Sequence, residues 1–394
     1  MRFRREFVGA TALVALLMAA CGGASSDTED QTTGEDAVEE PDGTDEDATD
    51  EDADEPEEQA EGVLLETRGP GGEPPTPTTE IVLTDDQVEA LRAGEHTAAL
   101  IWHTSSDFVN AVTAGATDTF EEYGIEVIAT TDAGFDSAQQ LSDVETVMAR
   151  QPSAILALPL DTVSAAQAFR SAVDAGVSLV FLSNLPEGYV HGVDHVSLIT
   201  DDLFDMGRLA AEELSAALDG QGQVAWIFHD AAYYVTNQRD NAFKTVIEQD
   251  HPGIEIVAEQ GIADPARAEE VANALLTQNP NLDGIYVTWA EPAEGVVAAL
   301  RAAGRDHVAV VTLDLSETLG LDMVQGGNVV AMVADEAYEL GAAMARAASL
   351  GILGESGPEF AVAPALAVTA DNVVEGWQTS LRRDPPQSVI DALG

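Results

Sequence analysis

Between His96 and Leu350, short apolar runs alternate with longer stretches of helical spacing, and that rhythm restricts the chain to α/β architectures. The runs fall at residues 98–102, 126–130, 154–158, 178–182 and 196–200, then at 223–228, 255–259, 284–288, 308–313 and 329–333. The spacing predicts helices near 107–123, 137–150, 162–175 and 202–218, then near 236–249, 265–278, 292–303, 317–325 and 336–350. Many of these open on Asp, Ser or Thr and close on Gly. Two consecutive βα series imply an α/β protein of two doubly wound parallel-sheet lobes with helices on both faces. A shorter helix over 85–93 leads in, opened by Thr84 with Gln87 three residues on and stopped by Gly94.

The chain before this region is of another kind. Of its 394 residues, 71 are acidic and 16 basic, a net charge of -55. Residues 27–61 alone hold 19 carboxylates and no Lys or Arg. Such a block cannot bury enough apolar surface to offset its ordering entropy, so an extended tether is expected. Residues 62–80, rich in Pro and Gly, read as its stiffer continuation, and about 50 linker residues reach roughly 40 Å on average. From Gly62 onward the net charge is still -38, which argues against a nucleic-acid partner. Lys244 is the only lysine; dense carboxylate with so little Lys fits a high-salt habitat or a genome that favours Arg and Asp.

Arg2, Arg4 and Arg5 precede an apolar run over 7–20 that is too short to span a bilayer, the pattern of a removable export signal. Met18-Ala19-Ala20-Cys21-Gly22 then resembles a bacterial lipobox, with Met18 in place of the usual Leu. That resemblance implies cleavage before Cys21 and lipid on it, the alternative being an export signal cleaved without lipid. Cys21 is the single cysteine, which rules out an internal disulfide framework and a cysteine-built zinc site.

In open α/β sheets the ligand crevice lies beyond the carboxyl ends of the strands, so residues directly after each run are the candidate site. In the first series these are His103, Ser105, Ser106, Asp107, Phe108, the loop 132–136, Asp161, Ser183 and Asn184. In the second they are His229, Tyr233 or Tyr234, Asn237, Arg239, Trp289, Glu291, Asp314 and Asp335. Flat rings with amides, hydroxyls and carboxylates suit a polyhydroxylated ligand, because rings cover C–H surface while Asp and Asn bond hydroxyls. One Arg among several carboxylates disfavours an anionic ligand, so a small neutral sugar or polyol is expected. Bland roles compete: Trp102 as core, Arg239 paired with Asp240 or Asp264, and Asp314 and Asp335 as helix caps. His191 and His195 have a spacing that a metal can use but no third ligand, so no metal site is assigned.

Over roughly residues 97–377 the chain resembles the periplasmic sugar-binding proteins of ABC importers, the ribose-binding-like type I family. The resemblance rests on the order of Asp107-Phe108 with Ala114-Gly115-Ala116, Ala175-Gly176-Val177, Asp201 with Gly207-Arg208-Leu209-Ala210, and Arg239 with Phe243. It continues through His251-Pro252-Gly253-Ile254, Asn279-Pro280-Asn281-Leu282-Asp283-Gly284 and Leu313-Asp314. It implies two lobes joined by three hinge strands near 199–201, 335–336 and 364–367. The resulting division is a signal at 1–20, a linker at 21–82, a first lobe of 83–199 plus 336–365, and a second of 200–335 plus 366–394. In ribose binders an Asn stands at Ser106, a stacking Phe at Phe108 and a hydroxyl-binding Asp at Asp314. Departures at Ser183-Asn184, Asn237, Trp289 and Asp335 point away from ribose toward another pentose, a branched sugar or a sugar alcohol.

No Gly-x-Ser-x-Gly elbow, Walker phosphate loop or His-Glu-x-x-His helix is present, and no catalytic residue or cofactor is assigned. The resemblance implies a monomer, held to the membrane through lipid on Cys21, that hands its ligand to an ABC permease and its ATPase. The alternative is a sugar-sensing receptor presenting its closed form to a transmembrane kinase or chemoreceptor.

Overall fold

The computed structural model describes residues 66–231 and 233–394. The export signal, Cys21 and the acidic stretch 27–61 lie outside the described residues. In chain order the strands are β1 (Thr76–Pro77), β2 (Thr97–Trp102), β3 (Glu126–Asp132), β4 (Ala154–Ala157), β5 (Ser178–Leu182), β6 (Ser197–Asp201) and β7 (Gly222–His229). They continue with β8 (Ile254–Ile262), β9 (Gly284–Val287), β10 (Ala309–Leu313), β11 (Val329–Asp335), β12 (Phe360–Ala363) and β13 (Ala365–Val368). The ten expected runs are all strands. The periodicity had no signal for β1, too short to show alternation, while β12 and β13 bracket the hinge that the resemblance placed near 364–367.

Two sheets result, ordered β1-β12-β6-β5-β4-β2-β3 and β13-β11-β10-β9-β7-β8. The first is parallel throughout, and the second is parallel except for β13, which runs antiparallel to β11. Strands such as Ala154–Ala157 and Ala309–Leu313 are buried along their whole length, as expected where helices cover both faces. The predicted helix over 162–175 is broken at Phe169 into Thr162–Ala168 and Arg170–Asp174. The cap of the Asp85–Arg92 helix is the expected reciprocal one, with Thr84 Oγ1 accepting from Gln87 N and Gln87 Oε1 accepting from Thr84 N.

The chain crosses between the sheets three times. It leaves β6 for the Leu203–Ala217 helix, which packs on the second sheet through Leu214 against Gly284. It leaves β11 for the Ala337–Ile352 helix, which returns to the first sheet, where Ser178 Oγ donates to Ala348 O. The third crossing runs from β12 through Pro364 into β13. The returning helix lies so close to the Asp107–Glu122 helix that a Cβ on Gly341 would sit 1.9 Å from Val112 O, and one on Gly115 1.9 Å from Tyr338 O. Only glycine fits at either position.

Three expected boundaries move. The β6 ladder runs on to Asp201 opposite Ala363, so the first lobe reaches 201 rather than 199. Ala365 already pairs with Asp335 in the second sheet, so the first lobe's last stretch ends at Pro364. The expected linker over 21–82 is folded in its last part. Thr67 Oγ1 donates to Asp202 Oδ1 at 2.5 Å and accepts from Phe204 N at 2.8 Å, β1 pairs with β12, and Thr78, Ile81 and Leu83 are buried. The cause is local: Thr and apolar residues punctuate the prolines there, and the edge of β12 offers unpaired backbone groups.

Candidate functional site

The second sheet brings most of its candidates together. His229 ends β7, and the Tyr234–Asp250 helix begins five residues on, directly after Tyr233. The His229 and Tyr233 rings stack at 5.2 Å and 7°, and Trp289, leading the Ala290–Ala303 helix, meets His229 edge-on at 4.9 Å. These three rings form one aromatic wall. His229 Nδ1 shares a 2.8 Å hydrogen bond with Thr236 Oγ1, and burial, then the Arg239 charge, lower its pKa, so it stands as a neutral imidazole. Of the two adjacent tyrosines, Tyr233 belongs to this wall. Tyr234 lies deeper; burial raises its phenol first, and the charges of Glu73 and Asp201 add to that.

Asp240 fixes the wall from behind. Its carboxylate accepts from His229 N at 2.8 Å, Tyr286 Oη at 2.7 Å and Thr288 Oγ1 at 3.0 Å, tying the helix to β7 and β9. Burial pushes its pKa up to about 6 against the pull of those donors.

Beside the wall lies a buried ionic cluster. Arg239 Nη1 is 3.3 Å from Asp314 Oδ1 and 3.9 Å from Asp201 Oδ2, so it is paired to these two rather than to Asp240 or Asp264. Burial works against its charge, but Asp314 and then Asp201 outweigh that and hold the guanidinium protonated. Asp201 ends β6 and Asp335 ends β11, so both stand at hinge crossings; burial raises both carboxyls, Asp335 the further. Asp314 follows β10 with a left-handed φ of 67°, and Ser316, not Asp314, caps the next helix. Asp335 does not cap either, since Glu336 holds that place. Glu291, in the first turn of the Ala290–Ala303 helix, is exposed to solvent. Asn237 is half-buried in the first helical turn after Tyr233.

The first sheet offers a looser set. His103 is half-buried with its Nδ1 enclosed and unpartnered, and burial lowers it to about 4 despite Asp132. Phe135 lies edge-on to it at 5.3 Å, 69% exposed and with φ 60°. Ser105 is exposed, whereas Ser106 Oγ accepts from Val109 N as the cap of the Asp107–Glu122 helix. Asp107 pairs with Arg383 at 2.6 Å, Phe108 packs against the core, and Trp102 is core with Nε1 donating to Thr113. Ser183, with φ 65°, bonds Thr200, and Asn184 donates to Pro159 O while its own Oδ1 lacks a donor. Asp161, capping the Thr162–Ala168 helix, is near enough to raise the Tyr233 phenol across the gap, second to burial.

Two residues that geometry brings to the site were not among the sequence candidates: Asp201 and Asp240. Asp201 and Asp240 carried a signal, since both are acids next to a predicted strand end or beside Arg239. His191 lies elsewhere, bonded to Gly357 O, and no group of three metal-capable side chains occurs among the described residues. A cavity of ≈ 240 Å³ lined by Pro70, Glu73, Tyr189 and His191 and one of ≈ 250 Å³ beside β8 include none of the candidate site residues in their linings.

Residues 98–356 match the family model described as a periplasmic binding protein domain. A putative rhizopine-binding protein of Rhizobium meliloti is 28% identical over 209 residues, 52% of this chain and 67% of that protein. A D-apiose import binding protein of Actinobacillus succinogenes is 27% identical over 59% of this chain and 74% of its own length. Among solved structures, an ABC transporter solute binding protein of Bacillus halodurans with bound myo-inositol superimposes with a TM-score of 0.62 at 25% identity, covering 72% of this chain and 97% of that one.

Proposed function

Since the chain belongs to the periplasmic binding protein domain family, we propose that it captures a small sugar or polyol between its lobes, outside the cytoplasm, and delivers it to an ABC importer. The observation that carries this reading is the meeting of strand ends from both sheets. Asp201 of the first lies 3.9 Å from Arg239 of the second, next to the wall of His229, Tyr233 and Trp289. Carboxylates and amides beside ring faces bind hydroxyls and C–H surface, and none of these groups forms a nucleophile and base pair, so the chemistry is capture rather than catalysis.

Because Asp201 and Asp335 stand at two of the three crossings, a ligand that bonds them bonds the hinge itself. Its extra affinity for the closed arrangement shifts the lobe equilibrium, and the permease and ATPase read the closed surface. The names of the relatives, with rhizopine and D-apiose among their ligands, support a small polyhydroxylated compound. No helix among the described residues is long and apolar enough to cross a membrane, and we assign anchoring to lipid on Cys21 with residues 21–66 as tether. One acyl chain gives marginal anchoring, so more than one is required.

Thermal-shift screening against pentoses, hexoses and polyols tests the binding, because a compound that binds only the native state raises its melting temperature. No rise with any such compound overturns the proposal. Cys21→Ala is expected to release the chain from the membrane fraction; retention there removes the lipid anchor.

A further inference from the structure

We infer that the ligand carries a protonated amine among its hydroxyls, making it an amino sugar or aminocyclitol rather than the neutral sugar expected from the sequence. This rests on the reading that the strand-tip cluster is the binding site and changes only the charge of what binds there. Asp201, Asp314 and Asp335 reach the cluster from the ends of three separate strands, and Arg239 is the one cation among them. A single guanidinium at 3.3 Å and 3.9 Å from two carboxylates cannot balance three.

Surrounding groups do not correct the imbalance. Asp240 and Tyr286 face Arg239 from behind, Tyr234 faces Asp201, and His229 is a neutral imidazole. Solvent screening is weak as well, since Asp201 is 3% and Asp335 5% exposed. Asp201 Oδ2 is moreover buried with no hydrogen-bond donor.

An ammonium group answers each of these features. It brings three donors and one positive charge to a cluster that holds more carboxylates than cations and in which Asp201 Oδ2 accepts no hydrogen bond, and charge-assisted bonds to carboxylates are about twice as strong as neutral ones. The aromatic wall adds a further attraction, because ring faces, Trp most of all, favour cations. A hydroxyl in the same place supplies one donor and leaves the excess charge in place. Protonation of Asp201 and Asp335 is the other way to relieve the charge, and it would leave the site indifferent to an amine.

Titration calorimetry on the purified chain at pH 7 separates the two. The probes are D-glucosamine against D-glucose, D-galactosamine against D-galactose, and scyllo-inosamine against scyllo-inositol, with the N-acetylated amines as uncharged controls. In a pair that binds, the amine is expected to be about tenfold tighter than its hydroxyl parent, and acetylation to abolish that advantage. Asp335→Asn, isosteric and checked by its own melting curve, is expected to lower the preference to about threefold or less. Equal or tighter binding of the hydroxyl parent in every binding pair overturns the inference and leaves the sugar-capture reading standing. Failure of all of these probes, amines and parents alike, counts against both.

Discussion

Replacing Arg239 with Met would expose how the cluster stores its charge. The guanidinium is 7% exposed, and its loss leaves Asp201, Asp314 and Asp335 facing one another with no counterion. Breaking a buried pair by removing one partner costs about 3–5 kcal/mol, a drop in melting temperature of roughly 4–7 °C for a protein of this size. The loss should depend on pH. Burial already raises the Asp201 and Asp335 carboxyls, so their stabilising contribution is present below the ordinary carboxylate pKa of 3.8 and fades as pH climbs through the raised values. Without Arg239 those values rise further and the decline with pH steepens. Thermal melts of both proteins at pH 5 and pH 8 check this: the deficit of Arg239→Met is expected to be several degrees smaller at the lower pH. A deficit equal at both pH values would refute the account of Arg239 as the neutralising group, and one below about 1 kcal/mol would refute its burial as a charge.

Asp240 gives a second pH dependence with a defined midpoint. A carboxyl moved from 3.8 to about 6 contributes about 3 kcal/mol that is fully present below pH 4 and lost as pH rises through 6. Asp240→Asn should flatten that part of the stability profile, and an unchanged slope in chemical denaturation would contradict it. Trp289→Ala should weaken whichever sugar the screen identifies by roughly tenfold while leaving the melting curve of the free protein nearly unmoved, measured by calorimetry. Gly341→Ala, whose new Cβ meets Val112 O, should cost about 1–3 kcal/mol, and a neutral melting temperature would mean that the two helices separate freely.

The architecture was readable because each level of the sequence agreed with the next. The strand runs, their helix caps such as Thr84 and Asp136, and the terminating glycines all specify the same alternation. Periodicity could not find β1, two residues long, because a strand that short is fixed by its neighbour β12 rather than by its own pattern. The folded arm around Thr67 was hidden for a related reason: prolines and glycines signal loops, and only the partner surface decides whether a loop is docked. At the site, position after a strand identified Arg239, Asp314 and Asp335 as candidates but could not say which atoms meet. Pairing of Arg239 with Asp201 joins residues that the two sheets bring together from 38 positions apart, and no local spacing encodes it. Ser106 and Asp107 illustrate the converse, since their residue types suit a sugar while their atoms are engaged in a cap and an ion pair.

The docked arm also fixes where the described part of the chain begins. Thr67 is fastened to Asp202 and Phe204 immediately past the first crossing, and β1 lies along β12 just ahead of the third. Whatever precedes Glu66 in the chain therefore joins the molecule beside its pivot. In a hinged body, displacement grows with distance from the axis, so opening and shutting swing the far rims while the attachment point stays almost still. Under the anchoring proposed through Cys21, a pull at Glu66 would exert little leverage on the angle between the lobes, which is left for a ligand to set.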